Sequence, residues 1–331
     1  MTLLSVSGLR KFFPLKRDMR GRGGGTVHAV DDISFDVMEG ETLGVVGESG
    51  CGKSTTARLL VRLIEPDAGQ IRLEGRAVGT AMPLAEARSK MQMVFQDSFA
   101  SLNPRLTVED SIAFGPVVHG LPRAQARERA RSLLARVGLE PTRFANRYPH
   151  ELSGGQRQRV NIARALALQP RLVILDEAVS ALDKSIEAQV LNLLLDLKAE
   201  FKLTYIFISH DLNVVRYMSD RVMVMYLGKI AEMGLAESVF TDTRHPYTRA
   251  LFAAMPSMDP DRRTEQPPLI GDPPNPIDPP PGCRFKGRCA HAEDVCGRGD
   301  IALIAAGAEH RVACLMTQPG SGHSSAPGKA A

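Results

Sequence analysis

Eight consecutive residues restrict this chain more tightly than anything else in it: Gly47-Glu48-Ser49-Gly50-Cys51-Gly52-Lys53-Ser54, on the spacing G-x-x-x-x-G-K-[ST]. Thr42 to Val46, just before them, reads as a short buried strand, and Thr55 to Ile64 has the apolar spacing of a helix. Strand, glycine loop and helix in that order make a phosphate site. The glycines let the backbone curl so that successive N–H groups face an anion, and the helix start adds its positive dipole end. Lys53 is placed to reach the β- and γ-phosphates and Ser54 to ligate Mg²⁺. A glycine-rich turn with an incidental lysine would leave the flanking elements unexplained.

At 331 residues the chain has room for about two domains. Its 41 Lys and Arg nearly balance 37 Asp and Glu, there is no Trp, and aromatics are few. That composition speaks against a nucleic-acid partner, which needs a basic face and rings to stack on bases. No run of roughly 18 apolar residues is present to span a membrane. Met1 to Val6 has neither a basic n-region nor a small-residue cleavage site, so the reading is a cytoplasmic protein without a signal peptide. Disulfides are rare in that compartment. Of the five cysteines, Cys51 lies in the glycine loop and Cys283, Cys289, Cys296 and Cys314 cluster near the end.

Taken in order, residues 3–9 read as an edge strand and Lys16 to Gly25 as a basic, glycine-rich loop or insertion. Phe12 and Phe13 precede it; one stacks on an adenine or is simply a buried aromatic. Val27 to Val37 and residues 69–75 have strand character, and Met91 to Gln96 is a buried strand ending in a polar residue. From Asp97 to about Pro170 the chain reads as loops and helices, with Ala124 to Val137 an amphipathic surface helix whose arginines are a solvated face. Ser153, in Leu152-Ser153-Gly154-Gly155-Gln156, suits the N-cap of a helix from Gln156 to Leu168. Two glycines at a helix start form a second anion cradle.

Leu172 to Asp176 is apolar throughout, as a parallel strand covered on both faces should be, and it ends in Asp176 and Glu177. Carboxylates there lie at the ligand edge of an open α/β sheet. Asp176 suits Mg²⁺ and Glu177 a general base aimed at water. After a helix from Ser185 to Phe201, a buried strand, Tyr205 to Ser209, presents His210 in the same manner. Arg221 to Tyr226 and Lys229 to Met233 read as a hairpin about Leu227-Gly228. Strands alternating with helices around a nucleotide loop give an α/β sheet domain. Residues 256–281 are Pro-rich and linker-like, and 318–331, small and polar, read as disordered.

These motifs, in this order and over the whole chain, resemble the ATP-binding subunit of an ABC transporter. Gly47 to Ser54, with Thr55 beside it, matches Walker A, and Gln96 the Q-loop glutamine. Leu152 to Gln156 matches the LSGGQ signature, Asp176 and Glu177 Walker B, Ser180 to Asp183 the D-loop, and His210 the H-loop. Phe13, two residues beyond Lys11, matches the adenine-stacking aromatic. Ala178 departs from the pattern, since many members have Pro there; only local backbone stiffness is affected.

Residues 94–104, His245 to Leu251 and His310 to Cys314 resemble the oligopeptide, dipeptide and nickel import group, and the insertion after Phe13 its F-type peptide-transport ATPase. The implied fold is α/β: an ABC-type P-loop ATPase core over 1–236, a helical subdomain at about 97–170, and a C-terminal cysteine-bearing extension over 237–317. The implied activity is ATP hydrolysis with Mg²⁺, held by Ser54, Gln96 and Asp176, driving peptide import. Each ATP is expected between two subunits, with Ser153, Gly154, Gly155, Gln156 and Asp183 of one closing on the loop of the other. The implied partners are a D-type ATPase, two permeases met through Asp97 to Arg105, and an extracytoplasmic binding protein. The subunit is expected on the cytoplasmic face of the inner membrane. Nickel import, and a soluble ABC protein of DNA repair or translation, are the rival readings.

The cysteines run C-x5-C-x6-C-x17-C, with no C-x2-C pair, so they are not an ordinary zinc ribbon. Four thiolates can hold Zn²⁺ or an iron–sulfur cluster, and Arg284, Lys286, Arg288 and Arg311 are expected to favour thiolates over buried reduced thiols. His291 and His310 are spare candidates for a mixed site. The resemblance favours a [4Fe–4S] cluster.

Overall fold

The computed structural model describes residues 1–15, 24–255, 275–307 and 309–328. Most of the basic glycine-rich stretch and of the Pro-rich segment lies outside them. The strands are β1 (Thr2–Pro14), β2 (Thr26–Met38), β3 (Thr42–Val46), β4 (Ala68–Leu73), β5 (Arg76–Ala77), β6 (Met91–Val94), β7 (Leu172–Asp176), β8 (Thr204–Ile208), β9 (Arg221–Tyr226), β10 (Lys229–Leu235), β11 (Ile304–Gly307) and β12 (His310–Val312). The α-helices are α1 (Lys53–Leu60), α2 (Leu84–Lys90), α3 (Val108–Val118), α4 (Arg123–Arg136), α5 (Pro141–Phe144), α6 (Gly154–Leu166), α7 (Lys184–Phe201), α8 (Leu212–Met218), α9 (Ala236–Thr241) and α10 (Pro246–Ala253).

The main sheet has eight strands in the order β11-β12-β10-β9-β3-β8-β7-β6. Pairs from β6 through β7, β8 and β3 to β9 are parallel. Every residue of β3, β7 and β8 is buried, and the two-residue alternation of the strands assigns their side chains to two cores. Leu172, Ile174, Ile206 and Ile208 pack with α1 and the small antiparallel sheet β2-β1-β4-β5. Val173, Leu175, Tyr205 and Phe207 join the core on the opposite face, with Val190 and Leu194 of α7 and Val215 of α8. A strand covered on both faces has no polar side to show, which is why these runs are apolar from end to end.

The helical subdomain packs α3, α4 and α6 together. Ala126, Ala130, Leu133 and Leu134 of α4 are buried, at helical spacing. The arginines of this helix keep a solvent-exposed face and also pair with α3: Arg127 bonds Asp110 at 2.8 Å, and Arg131 pairs with the buried Glu109.

Several expectations are corrected. β1 is an interior strand between β2 and β4 rather than an edge. Its outer partner, β2, starts only after the loop, so the pairing is not visible locally. α1 stops at Leu60, because the chain turns within 61–64. α6 starts at Gly154, since Ser153 itself is the cap. Past residue 236 the extension stays in touch with the core: β12 pairs with β10 and extends its sheet. Residues 318–328 pack back on the extension, with His323 buried and its ring bonded to the carbonyl of His291 at 2.9 Å. Turn hydrogen bonds and the Glu293 carboxyl satisfy this small polar segment, so its composition does not leave it disordered.

Candidate nucleotide site

The loop between β3 and α1 is shaped by two glycines where any side chain would strain the backbone. At Gly47 φ is +148°, and a Cβ would stand 2.2 Å from the Met225 carbonyl oxygen and 2.7 Å from the Cys51 sulfur. At Gly52 φ is +108°, and a Cβ would stand 2.2 Å from the Ala29 carbonyl oxygen. Gly52 is also the N-cap of α1, with no side-chain cap on the helix start. Its first N–H groups are therefore left for a ligand. Lys53 is buried and curls back, its Nζ donating to the Gly47 carbonyl at 2.7 Å and the Glu48 carbonyl at 3.0 Å. A phosphate in the loop gives that ammonium a charged acceptor in place of two carbonyls.

Ser54 of α1 donates to Asp176 Oδ1 at 2.9 Å across the sheet edge. Asp176 is buried, and burial above all holds its carboxyl above the usual range, the Ser54 bond opposing it and the nearby Glu177 adding to it. A divalent cation between Ser54 and Asp176 reverses that cost, so this hydroxyl and carboxyl fit Mg²⁺. Gln96, two residues past β6, donates to Glu177 Oε2 at 2.8 Å. His210 Nδ1 stands 3.5 Å from the same oxygen, its side chain 62% exposed. Glu177 has φ +48°, a left-handed conformation costly for a side-chain-bearing residue. Its N–H is tied to the Ile208 carbonyl at 3.0 Å, which holds the turn. Gln96, Glu177 and His210, far apart in sequence, thus meet beside the loop.

The remaining residues singled out in the sequence do not join this cluster. Ser153 is exposed, its hydroxyl accepting from the Gln156 N–H in a capping box. Asp183 is exposed at the start of α7. Among the described residues no hydrogen bond links 153–156 or 183 with 47–55. Phe13 is about one-third exposed on β1, with Lys11 over its ring, while Phe12 stacks on His28 at 4.1 Å.

Sequence reasoning missed what holds the loop from outside. The Glu48 N–H donates to the Tyr247 hydroxyl at 2.9 Å, and its carboxyl accepts from Arg288 Nη1 at 2.9 Å. These partners are 199 and 240 residues away, beyond any local signal.

The four tail cysteines line one small cavity of about 20 Å³ with His291 and His323. Among the described residues, no three His, Cys, Asp or Glu side chains are gathered closely enough to hold a metal ion. Flanking cations do not turn the thiols into thiolates: burial pushes Cys283 and Cys314 up to about 11 and raises Cys289 too. Two of the cations are engaged elsewhere, Arg284 on Asp31 and Arg288 on Glu48. His310 is likewise no spare ligand, since its Nε2 bonds the buried Glu232 at 2.7 Å.

An open parallel sheet with a phosphate loop at its strand ends, and an inserted helical subdomain, defines a P-loop nucleotide-binding protein. The family model described as ABC transporter matches residues 30–180, and that described as oligopeptide/dipeptide transporter, C-terminal region, matches 231–296. The oligopeptide transport ATP-binding protein AppF of Bacillus subtilis is 48% identical over 321 residues, covering 95% of this chain and 97% of that one. OppF of Haemophilus influenzae is 46% identical, covering 95% and 96%. A Clostridium perfringens structure described as part of the ABC transporter complex cbiONQ superposes with TM-score 0.61 at 28% identity, covering 73% of this chain and 91% of that one. An ATP-binding cassette in a dimeric post-hydrolysis state with ADP and Pi gives TM-score 0.61 at 26% identity, covering 71% and 99%. This chain belongs to the ABC transporter ATP-binding family.

Proposed function

We propose that this chain is the ATP-hydrolysing subunit powering peptide import through a pair of membrane permeases. One observation carries the reading: a complete nucleotide core runs on into a C-terminal region of the oligopeptide and dipeptide transporter type, which begins within β10 of the same sheet. Among the described residues no helix is long and apolar enough to cross a membrane, so the pore is the work of partner subunits. The chain acts at the cytoplasmic face of the inner membrane, as a peripheral subunit, with a D-type ATPase as its second half.

ATP sits on Gly47, Glu48, Ser49, Gly50, Cys51, Gly52, Lys53, Ser54 and Thr55, with Phe13 against the adenine. Ser54, Gln96 and Asp176 would hold Mg²⁺, which would supply positive charge to the phosphates. Glu177 orients and deprotonates the attacking water while His210 and Gln96 fix its carboxylate; the 2.8 and 3.5 Å contacts support these roles. Ser153 and Asp183 are exposed and Gly154, Gly155 and Gln156 half-buried, and among the described residues none of them bonds residues 47–55, which suits closure on the nucleotide of the other subunit. Cys283, Cys289, Cys296 and Cys314 hold a [4Fe–4S] cluster in this reading. Iron and sulfide analysis after anaerobic purification tests that: a colourless protein with stoichiometric zinc ends it.

Reconstitution of the transporter with its binding protein in vesicles tests the whole. ATP-dependent peptide uptake is expected; uptake of Ni²⁺ and not of peptide would replace peptide with metal as cargo.

A further inference from the structure

The C-terminal extension reaches into the nucleotide site at the second residue of its loop. Arg288, one residue before Cys289, donates to both Glu48 carboxylate oxygens, at 3.1 and 2.9 Å. The pair is shielded, with 8% and 17% of the two side chains exposed. Tyr247 of α10 takes the Glu48 backbone N–H at 2.9 Å. The Phe285 ring packs against Tyr247 at 5.5 Å and against Tyr226 at 5.4 Å, between the cysteine cavity and the loop. Arg288 also lies 3.4 Å from the Tyr226 hydroxyl. Arg284, one residue after Cys283, binds Asp31 and the Leu227 carbonyl. Asp31 and Cys51 are themselves bridged through the backbone of Gly228.

We infer that Arg288 and Tyr247 are positioning residues for ATP binding: they grip Glu48 from outside the loop and hold its N–H groups in the phosphate-binding curl. The physical reason is that a glycine loop binds anions only when its amides already converge. A loop with Gly at positions 47, 50 and 52 has a large conformational freedom to lose. A grip on the Glu48 side chain and its N–H removes part of that freedom before ATP arrives, which is a gain in affinity by pre-organisation. Glu48 is the sole bulky acidic residue of the loop, and it faces the extension. The neighbouring cysteines make the grip dependent on the extension being folded.

The inference rests on residues 47–55 being the nucleotide loop, so Lys53→Ala serves as the control: normal ATP binding in that variant refutes the parent reading, not the grip. In the assembled transporter, Arg288→Gln is expected to raise the KM for ATP about tenfold with kcat within about twofold, the scale of one lost charge-assisted pair. Arg288→Lys restores part of it. Glu48→Gln, which leaves the extension intact, raises KM alike, and the double variant is no worse than the weaker-binding single. Deuterium exchange at 47–52 rises in each. An unchanged KM in Glu48→Gln, or KM effects that multiply in the double variant, overturns the grip. So does a fall in thermal midpoint with KM unmoved in Arg288→Gln.

Discussion

Glu232, in β10, is fully buried and gathers three contacts to the extension on a single side chain. Its carboxyl oxygens accept the Arg244 N–H at 2.8 Å, the His245 N–H at 3.1 Å and the His310 imidazole at 2.7 Å. Those contacts join the start of α10 and strand β12 to the core. In Glu232→Ala three donors, two of them buried and the Arg244 N–H half-buried, lose their acceptor at once. Each orphaned group costs roughly 1–3 kcal/mol, and water entering the space left by the side chain recovers part of it. The expected loss is about 3–5 kcal/mol, the range for breaking a buried polar network. Denaturant unfolding should show a lower midpoint at unchanged slope, and limited proteolysis should release fragments cut after residue 236. His310→Ala removes one donor and keeps the other two satisfied, so it should cost less, and the pair should be coupled by about 1 kcal/mol or more in a double-mutant cycle. A loss below about 0.5 kcal/mol in Glu232→Ala refutes the reasoning, because water would then serve those donors as well as the carboxyl does.

Other expectations can be checked directly. Gly47→Ala should keep the fold and weaken ATP binding more than tenfold, because its methyl meets the Met225 carbonyl; tight binding of a fluorescent ATP analogue would show that the loop yields. Glu177→Gln should bind ATP normally and hydrolyse it about 10²-fold more slowly or worse, and near-normal turnover removes this residue from the base role. Ser153→Arg should block hydrolysis at the partner's loop while leaving nucleotide binding at its own; undiminished ATPase in the assembled complex speaks against shared sites. Leu134→Ala, in the core of the helical subdomain, should cost about 2–5 kcal/mol in unfolding experiments, and a neutral result would mean that α4 packs loosely.

What could be read from the sequence was what local chemistry encodes. β7 announces itself by an unbroken apolar run closing on two acids, and α6 by a serine cap followed by Gln156. Walker-type spacing puts the phosphate loop, Ser54 and Asp176 together before any contact is known. Illegible features depend on pairings between distant segments. β1 looks like an edge until β2 and β4 are seen on either side of it. β12 is three residues long and gains its place from β10. Arg284 and Arg288, read from spacing as cations beside thiols, instead reach out of the cysteine region to Asp31 and Glu48. The thiols then answer to burial rather than to charge. Charge near a cysteine in sequence says little until the direction of the long side chain is known.

The pairing of β12 with β10 has a practical consequence. A variant cut at the old boundary of residue 236 would leave β10 as a bare seam, its peptide groups open to whatever strand drifts past. Such a shortened subunit should clump on purification while the full-length chain stays dispersed.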